Sequence, residues 1–148
     1  MIIDLPKYLM VAALLAQGVI ALVLLFVLGT IRIPLVLQKK VRVRDVALSR
    51  EAWPEHEKRV SNAFDNQFQL PVLFYVASGI SLTFGPIGFE VVVAWLFVAT
   101  RVVHAAVFAT TNNVNHRFLA YTAGYLVLLV FWGELILRLC FLMIWNRI

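Results

Sequence analysis

The stretch from Tyr8 to Ile31 runs for 24 residues without a charged side chain, and the stretch from Asn66 to Phe89 is equally long and equally uncharged. About 20 helical residues cross the hydrocarbon core of a bilayer. Either run therefore suffices for a transmembrane helix, and the chain reads as an all-α integral membrane protein. Composition agrees: 62% of residues are hydrophobic and the mean hydropathy is +0.88, whereas soluble domains are closer to half apolar.

Four spans fit the pattern, at about 9–31, 61–84, 89–110 and 118–145, in one four-helix domain covering 1–148. The first run is too long for a signal-peptide core and lacks a small-x-small cleavage site, so it is expected as a retained helix. Between the first two spans lies a basic loop, Arg32 to Val60. It holds Arg32, Lys39, Lys40, Arg42, Arg44, Arg50, Lys58 and Arg59, eight of the thirteen basic residues. Such concentration marks a cytoplasmic face. Both termini and the uncharged "GPIG" turn (85–88) are then expected on the opposite side, and the polar "TTNNVNH" connection on the cytoplasmic one. The compact chain suits a bacterial inner membrane. A net charge of +5 confined to one loop argues against nucleic-acid binding. The segment 38–44, "QKKVRVR", reads as a contact for acidic lipids. No metal-ligand spacing, phosphate-binding glycine loop or nucleophile elbow is present, and the lone Cys140 allows no internal disulfide.

Polar groups inside the spans carry the functional signal. On a wheel of 100° per residue, Arg59, Asn62, Asn66 and Gln69 form one stripe, with Asp65 at its edge and Gln67 pointing elsewhere. Arg101, His104 and Phe108 share a face of the third span. Arg117 and Tyr121 are one turn apart on the fourth, and Arg32 closes the first. All map to the cytoplasmic half of the membrane. Ionisable groups at such depth usually face a protein interior or a wet cavity, although Arg32 and Arg59, at span ends, can also reach headgroups. With Asp65 as the one clear counter-charge, the arginines predict an anionic ligand.

"RVVHAAVF" (101–108) followed by "RFLAYT" (117–122) resembles the third- and fourth-helix pattern of the MAPEG family, membrane-associated proteins in eicosanoid and glutathione metabolism. The two arginines keep the family's sixteen-residue interval. "NQFQLPVLFY" (66–75) resembles its second helix and "GTIRIPLVLQKK" (29–40) its first-helix exit. The resemblance implies a homotrimer of four-helix subunits that binds glutathione between neighbours near the cytoplasmic face, with a lipophilic electrophile arriving from the bilayer. By position, Arg117 and Tyr121 would be catalytic, stabilising and hydrogen-bonding the thiolate. Arg32, Arg59, Asn62, Asn66, Gln69, Arg101 and His104 would complete the binding set. The implied activity is that of a glutathione transferase or peroxidase.

Three positions depart from the family pattern. Phe108 stands where many members have tyrosine, Phe118 where some have serine, and an amide, Gln69 or Gln67, where an acid is expected; Asp65 is a candidate substitute. These departures favour an alternative, a non-catalytic member that keeps the scaffold and binds a lipid or protein partner. A small transporter fits less well, since no broken helix or internal repeat is evident. His104 is at many such positions a hydrogen-bonded packing residue, and Tyr121 could serve as an interfacial anchor. Glu134 and Arg138, one turn apart, are expected to pair along their helix. Pro71 is expected to kink the second span, and Trp132 and Trp145 to sit in the outer interface.

Overall fold

Capping chemistry decides where each crossing begins in the computed structural model, which describes residues 4–145. Helix α1 (Leu5–Leu37) starts where the Asp4 carboxylate accepts the Lys7 N–H at 3.3 Å, with Pro6 in the first turn, where a missing donor costs nothing. It runs six residues past the expected end at Ile31. A charge ends an apolar run without ending a helix, and Arg32 stays helical with Glu57 as its ion-pair partner. The basic connection is thus shorter than expected, residues 38–54, with one brief helix α2 (Val43–Val46) inside it. Helix α3 (Glu55–Asp65) also begins earlier than Ser61. Pro54 holds the extended backbone before it, and Glu55 and Glu57 in the first turn complement the helix dipole.

The second crossing is broken rather than merely kinked. A 3₁₀ turn, Asn66–Phe68, and an irregular Gln69 (φ −108°, ψ −104°) separate α3 from α4 (Leu70–Phe84). Proline explains the break: within a continuous helix the Pro71 ring would collide with the carbonyl four residues earlier. Placed in the first turn of α4, it collides with nothing. Gly85 closes α4 at φ +79°, a conformation that suits glycine. Helix α5 (Gly88–Ala109) follows, and then α6 (Val114–Trp145). Helix α6 starts four residues before the expected Phe118 because the Asn113 side chain accepts the N–H groups of Asn115 (3.0 Å) and His116 (3.2 Å). The side chain of Trp145 lies outside the described residues.

Four crossings are long and apolar enough to span a membrane: Leu5–Leu37, Glu55–Phe84, Gly88–Ala109 and Val114–Ile144. Short connections reverse the chain between them, giving an up-down bundle in which α5 packs most extensively against α6 and also touches α1 and α3. Two apolar clusters fill it. The larger joins Met10, Phe74, Ala77, Phe97, Leu128 and Phe131, and the Phe74 and Phe97 rings stack at 4.7 Å. The smaller joins Leu24, Leu28, Val60, Ala63, Ala105 and Phe108 near the α3 end. Outward faces carry Leu15, Leu22, Phe26, Leu126 and Leu137, all exposed. A bundle that is apolar outside as well as inside is made for lipid.

At the 85–87 turn, the polar contacts correct one expectation. Arg138 pairs with Glu90 of α5 at 2.7 Å, not with Glu134, and also donates to the carbonyls of Phe84 and Gly85. Glu90 is fully buried and accepts in addition from Ser81 Oγ (2.7 Å) and the Ile87 N–H (3.0 Å). The i,i+4 spacing offered an exposed pair. The buried carboxylate offered a better one, because it gathers three donors, from α4, the turn and α6. Glu134 Oε2 is buried without a hydrogen-bond partner among the described residues.

Candidate functional site

At the end of the bundle where α3 begins and α5 gives way to α6, a cavity of about 410 Å³ is lined by Asn62, Asp65, Asn66, Gln69, His104, Phe108, Val114, Arg117, Phe118 and Tyr121. Its size falls in the range of small-molecule sites. One wall is formed by Asn62 of α3, Asn66 of the 3₁₀ turn and Gln69 just after it. Gln67, on the same turn, points away as expected. It donates to the Ala63 carbonyl and accepts from Gln17 of α1 at 3.0 Å. Gln17 is a fully buried amide that ties the turn to the first helix. It is absent from the expected set, and its sequence signal is a lone amide in an otherwise apolar run.

Arg117 is held from both sides. Its Nη1 donates to Asn112 Oδ1 at 2.6 Å, and its guanidinium lies 4.0 Å from the centroid of the Phe108 ring. Asn112 adopts φ +52°, which asparagine tolerates better than most residues, so the short connection acts as a brace. Phenylalanine at position 108 offers no hydroxyl, but its ring face carries the cation. His104 and Tyr121 pack with ring centroids 5.8 Å apart.

Arg101 does not line the cavity. It is fully buried, with its guanidinium 5.5 Å from the ring centroids of both Phe97 and Tyr121. Nη2 donates to the Ala120 carbonyl at 3.2 Å, while Nε and Nη1 have no partner among the described residues. It therefore reaches the site only through Tyr121. Gly124 makes room for it: a Cβ there would stand 2.6 Å from Arg101 Nη2 and 2.7 Å from Thr100 Oγ1. Gly124→Ala is expected to destabilise by about 1–3 kcal/mol through overpacking, measured as a lower Tm in detergent; an unchanged Tm would show that the guanidinium moves aside freely. Gly124 shares a helix face with Arg117 and Tyr121 by i, i+4, i+7 spacing, a signal that was available in the sequence.

Arg32 and Arg59 also lie away from the cavity, and the expected shortage of anions is smaller than the sequence suggested. Arg32 pairs with the fully buried Glu57 at 2.6 Å, donates to Ser61 Oγ and sits over the Trp53 ring. Arg59 pairs with Glu55 one turn earlier and donates to the Thr110 carbonyl. Asp65 pairs with Arg50 at 2.5 Å. Glu55 and Glu57, which fall in the expected loop, belong to the first turn of α3 and supply the extra carboxylates. Among the described residues, Arg101 and Arg117 have no carboxylate partner. Of the expected set, the fold thus gathers Asn62, Asn66, Gln69, His104, Arg117 and Tyr121, and leaves Arg32, Arg59 and Arg101 outside.

Chemically, this is a polar chamber with one guanidinium, one carboxylate, three amides, an imidazole and a phenol. Phe108, Phe118 and Val114 supply its apolar part. Compared with known families, residues 10–137 match the family model described as the MAPEG family. No curated protein and no solved structure matches the chain.

Proposed function

From membership of the MAPEG family, to which this chain belongs, we propose that it is a glutathione-dependent transferase or peroxidase acting on a lipophilic electrophile. The family is one of membrane proteins in glutathione and eicosanoid metabolism, and four apolar crossings make this chain an integral membrane protein. One observation carries the finer reading: Arg117, the cavity's permanent cation, is braced by Asn112 and Phe108 with no carboxylate to neutralise it.

A free thiol titrates near 8.5, and a neighbouring fixed cation lowers that value and raises the thiolate fraction. Arg117 would hold the thiolate sulfur, with the Tyr121 hydroxyl donating to it. In conjugation, the sulfur forms a bond to the electrophilic carbon, and the displaced electron pair leaves with the leaving group. In peroxide reduction, the sulfur attacks one peroxide oxygen and the O–O bond breaks to release an alcohol. The resulting sulfenic acid then takes a second glutathione to give a disulfide and water. Asn62, Asn66 and Gln69 would hold the peptide's polar groups. The active unit is a homotrimer with glutathione between neighbouring subunits. Arg32 and Arg59, held away from the cavity within one chain, would join the site only from an adjacent copy. The membrane is a bacterial inner membrane, with residues 38–54 in the cytoplasm and both termini opposite.

Heat stability of the detergent-solubilised protein tests this directly. Glutathione at about 100 times its Kd should add about 2.7 kcal/mol to the folded state, and Arg117→Ala should abolish the shift. An unchanged melting curve at millimolar glutathione would overturn the proposal. A shift without conjugation of a model electrophile or reduction of a lipid hydroperoxide would favour the alternative, a binding member without catalysis, for which Phe118 and Phe108 in place of hydroxyls speak.

A further inference from the structure

We propose that Gln17, a first-helix residue outside the cavity, is a positioning residue for the amide wall of the site, acting through Gln67. The inference rests on the reading of that cavity as the glutathione site, because it concerns how Asn66 and Gln69 are presented there.

Gln17 is the one amide in the uncharged run from Tyr8 to Ile31, and it is fully buried. Burying an amide costs free energy unless its groups are paired, so an apolar helix gains nothing from the amide alone. The pairing is one-sided. Nε2 donates to Gln67 Oε1 at 3.0 Å, whereas Gln17 Oε1 has no partner among the described residues. The donor is the part that the fold uses, and Gln67 needs it. Gln67 Nε2 donates to the Ala63 carbonyl at 3.1 Å, and a carbonyl can only accept, so Gln67 turns its oxygen toward α1. Ala63 lies in the last turn of α3, where helix carbonyls run short of backbone donors. An interrupted helix at membrane depth is tolerated where side chains satisfy the groups that the break frees. The amide relay from Gln17 through Gln67 to Ala63 does so from α1.

Chain neighbours carry the relay to the cavity. Asn66 and Gln69 line it, and Gln67 follows Asn66 in the short turn that Gln69 ends. Of Asn66, Gln67, Phe68 and Gln69, Gln67 alone is buried. Asn66 Nδ2 donates back to the Asn62 carbonyl, and the Gln69 carbonyl accepts the Val72 N–H. Among the described residues, Gln67 is the one member of the four that hydrogen-bonds to another crossing. It is the fixed point of the wall, and Gln17 fixes it.

Gln17→Met, which keeps the volume and removes the donor, tests this in the full-length detergent-solubilised protein. Amide hydrogen exchange at residues 66–69 should quicken, and glutathione should bind up to about tenfold more weakly, the equivalent of one buried hydrogen bond. The pH at which the bound thiol ionises should keep its wild-type value, since Arg117 is untouched. Adding Gln67→Met should cost no further affinity, because both changes break one relay. Met10→Ala, two turns earlier on the same α1 face and buried in the larger apolar cluster, should lower Tm and leave affinity unchanged. Wild-type exchange and affinity in Gln17→Met, additive losses in the double variant, or an equal loss of affinity in Met10→Ala would overturn the proposal. If Gln17→Met does not fold, Gln17→Asn, whose amide falls one methylene short of Gln67, takes its place with the same expectations. Failure of the wild-type protein to bind glutathione would instead remove the functional reading, and the exchange comparison alone would then decide whether Gln17 holds the turn.

Discussion

Glu90→Ala should lower the stability of the folded protein by about 3–5 kcal/mol, the range for breaking a buried ion pair by removing one partner. The carboxylate is fully buried and receives Ser81 Oγ, the Ile87 N–H and the Arg138 guanidinium. Its removal leaves Ser81 and Ile87 without an acceptor and Arg138, only 20% exposed, without a counter-charge. All three elements around the 85–87 turn depend on that one group: the end of α4, the start of α5 and the C-terminal part of α6. Glu90→Gln keeps one oxygen, enough to accept from Ser81 Oγ and the Ile87 N–H, while losing the charge and the acceptor that faces Arg138, so its loss should be smaller than that of alanine. Equilibrium unfolding in mixed micelles would rank the two. Equal, small losses for both would mean that the turn is held by packing alone.

Arg101→Met should move stability in the opposite direction. Burying a guanidinium with Nε and Nη1 unpartnered among the described residues is costly; replacing even a buried ion pair by apolar chains of similar volume is often neutral or stabilising by about 1–4 kcal/mol, and a charge without a counter-ion has less attraction to lose. Methionine can fill the slot between Phe97 and Tyr121 that Gly124 leaves open. Arg101→Ala should instead be destabilising, since it empties that slot. The comparison of Tm for the two variants separates charge from volume. Glutathione binding should weaken in Arg101→Met despite the firmer fold, because the cation under the Tyr121 ring is gone. A large loss of stability in Arg101→Met would show that Nε and Nη1 have a partner in the assembled protein.

Legibility in the sequence varied with the kind of interaction. Asn62, Asn66, His104, Arg117 and Tyr121 could be grouped from the sequence because helical spacing places i, i+3, i+4 and i+7 on one face, and they line one cavity. Arg32 and Arg59, expected in the binding set, instead pair with Glu57 and Glu55 away from the cavity, because α3 begins at Glu55 and brings both carboxylates into helical register. Arg138 was assigned to Glu134 by spacing along one helix. Its true partner, 48 positions away, has no local signature.

By itself, the sequence determined the membrane class, the number of crossings and the family, since these follow from the length and polarity of continuous runs and from short motifs at fixed intervals. Only the tertiary structure decided which charges neutralise one another and which is left facing the cavity. Ion pairing depends on distances across helices, and a linear pattern carries no such distances. Arg117 and Arg101 look alike in the chain; one is braced at a cavity and the other is walled in behind Tyr121.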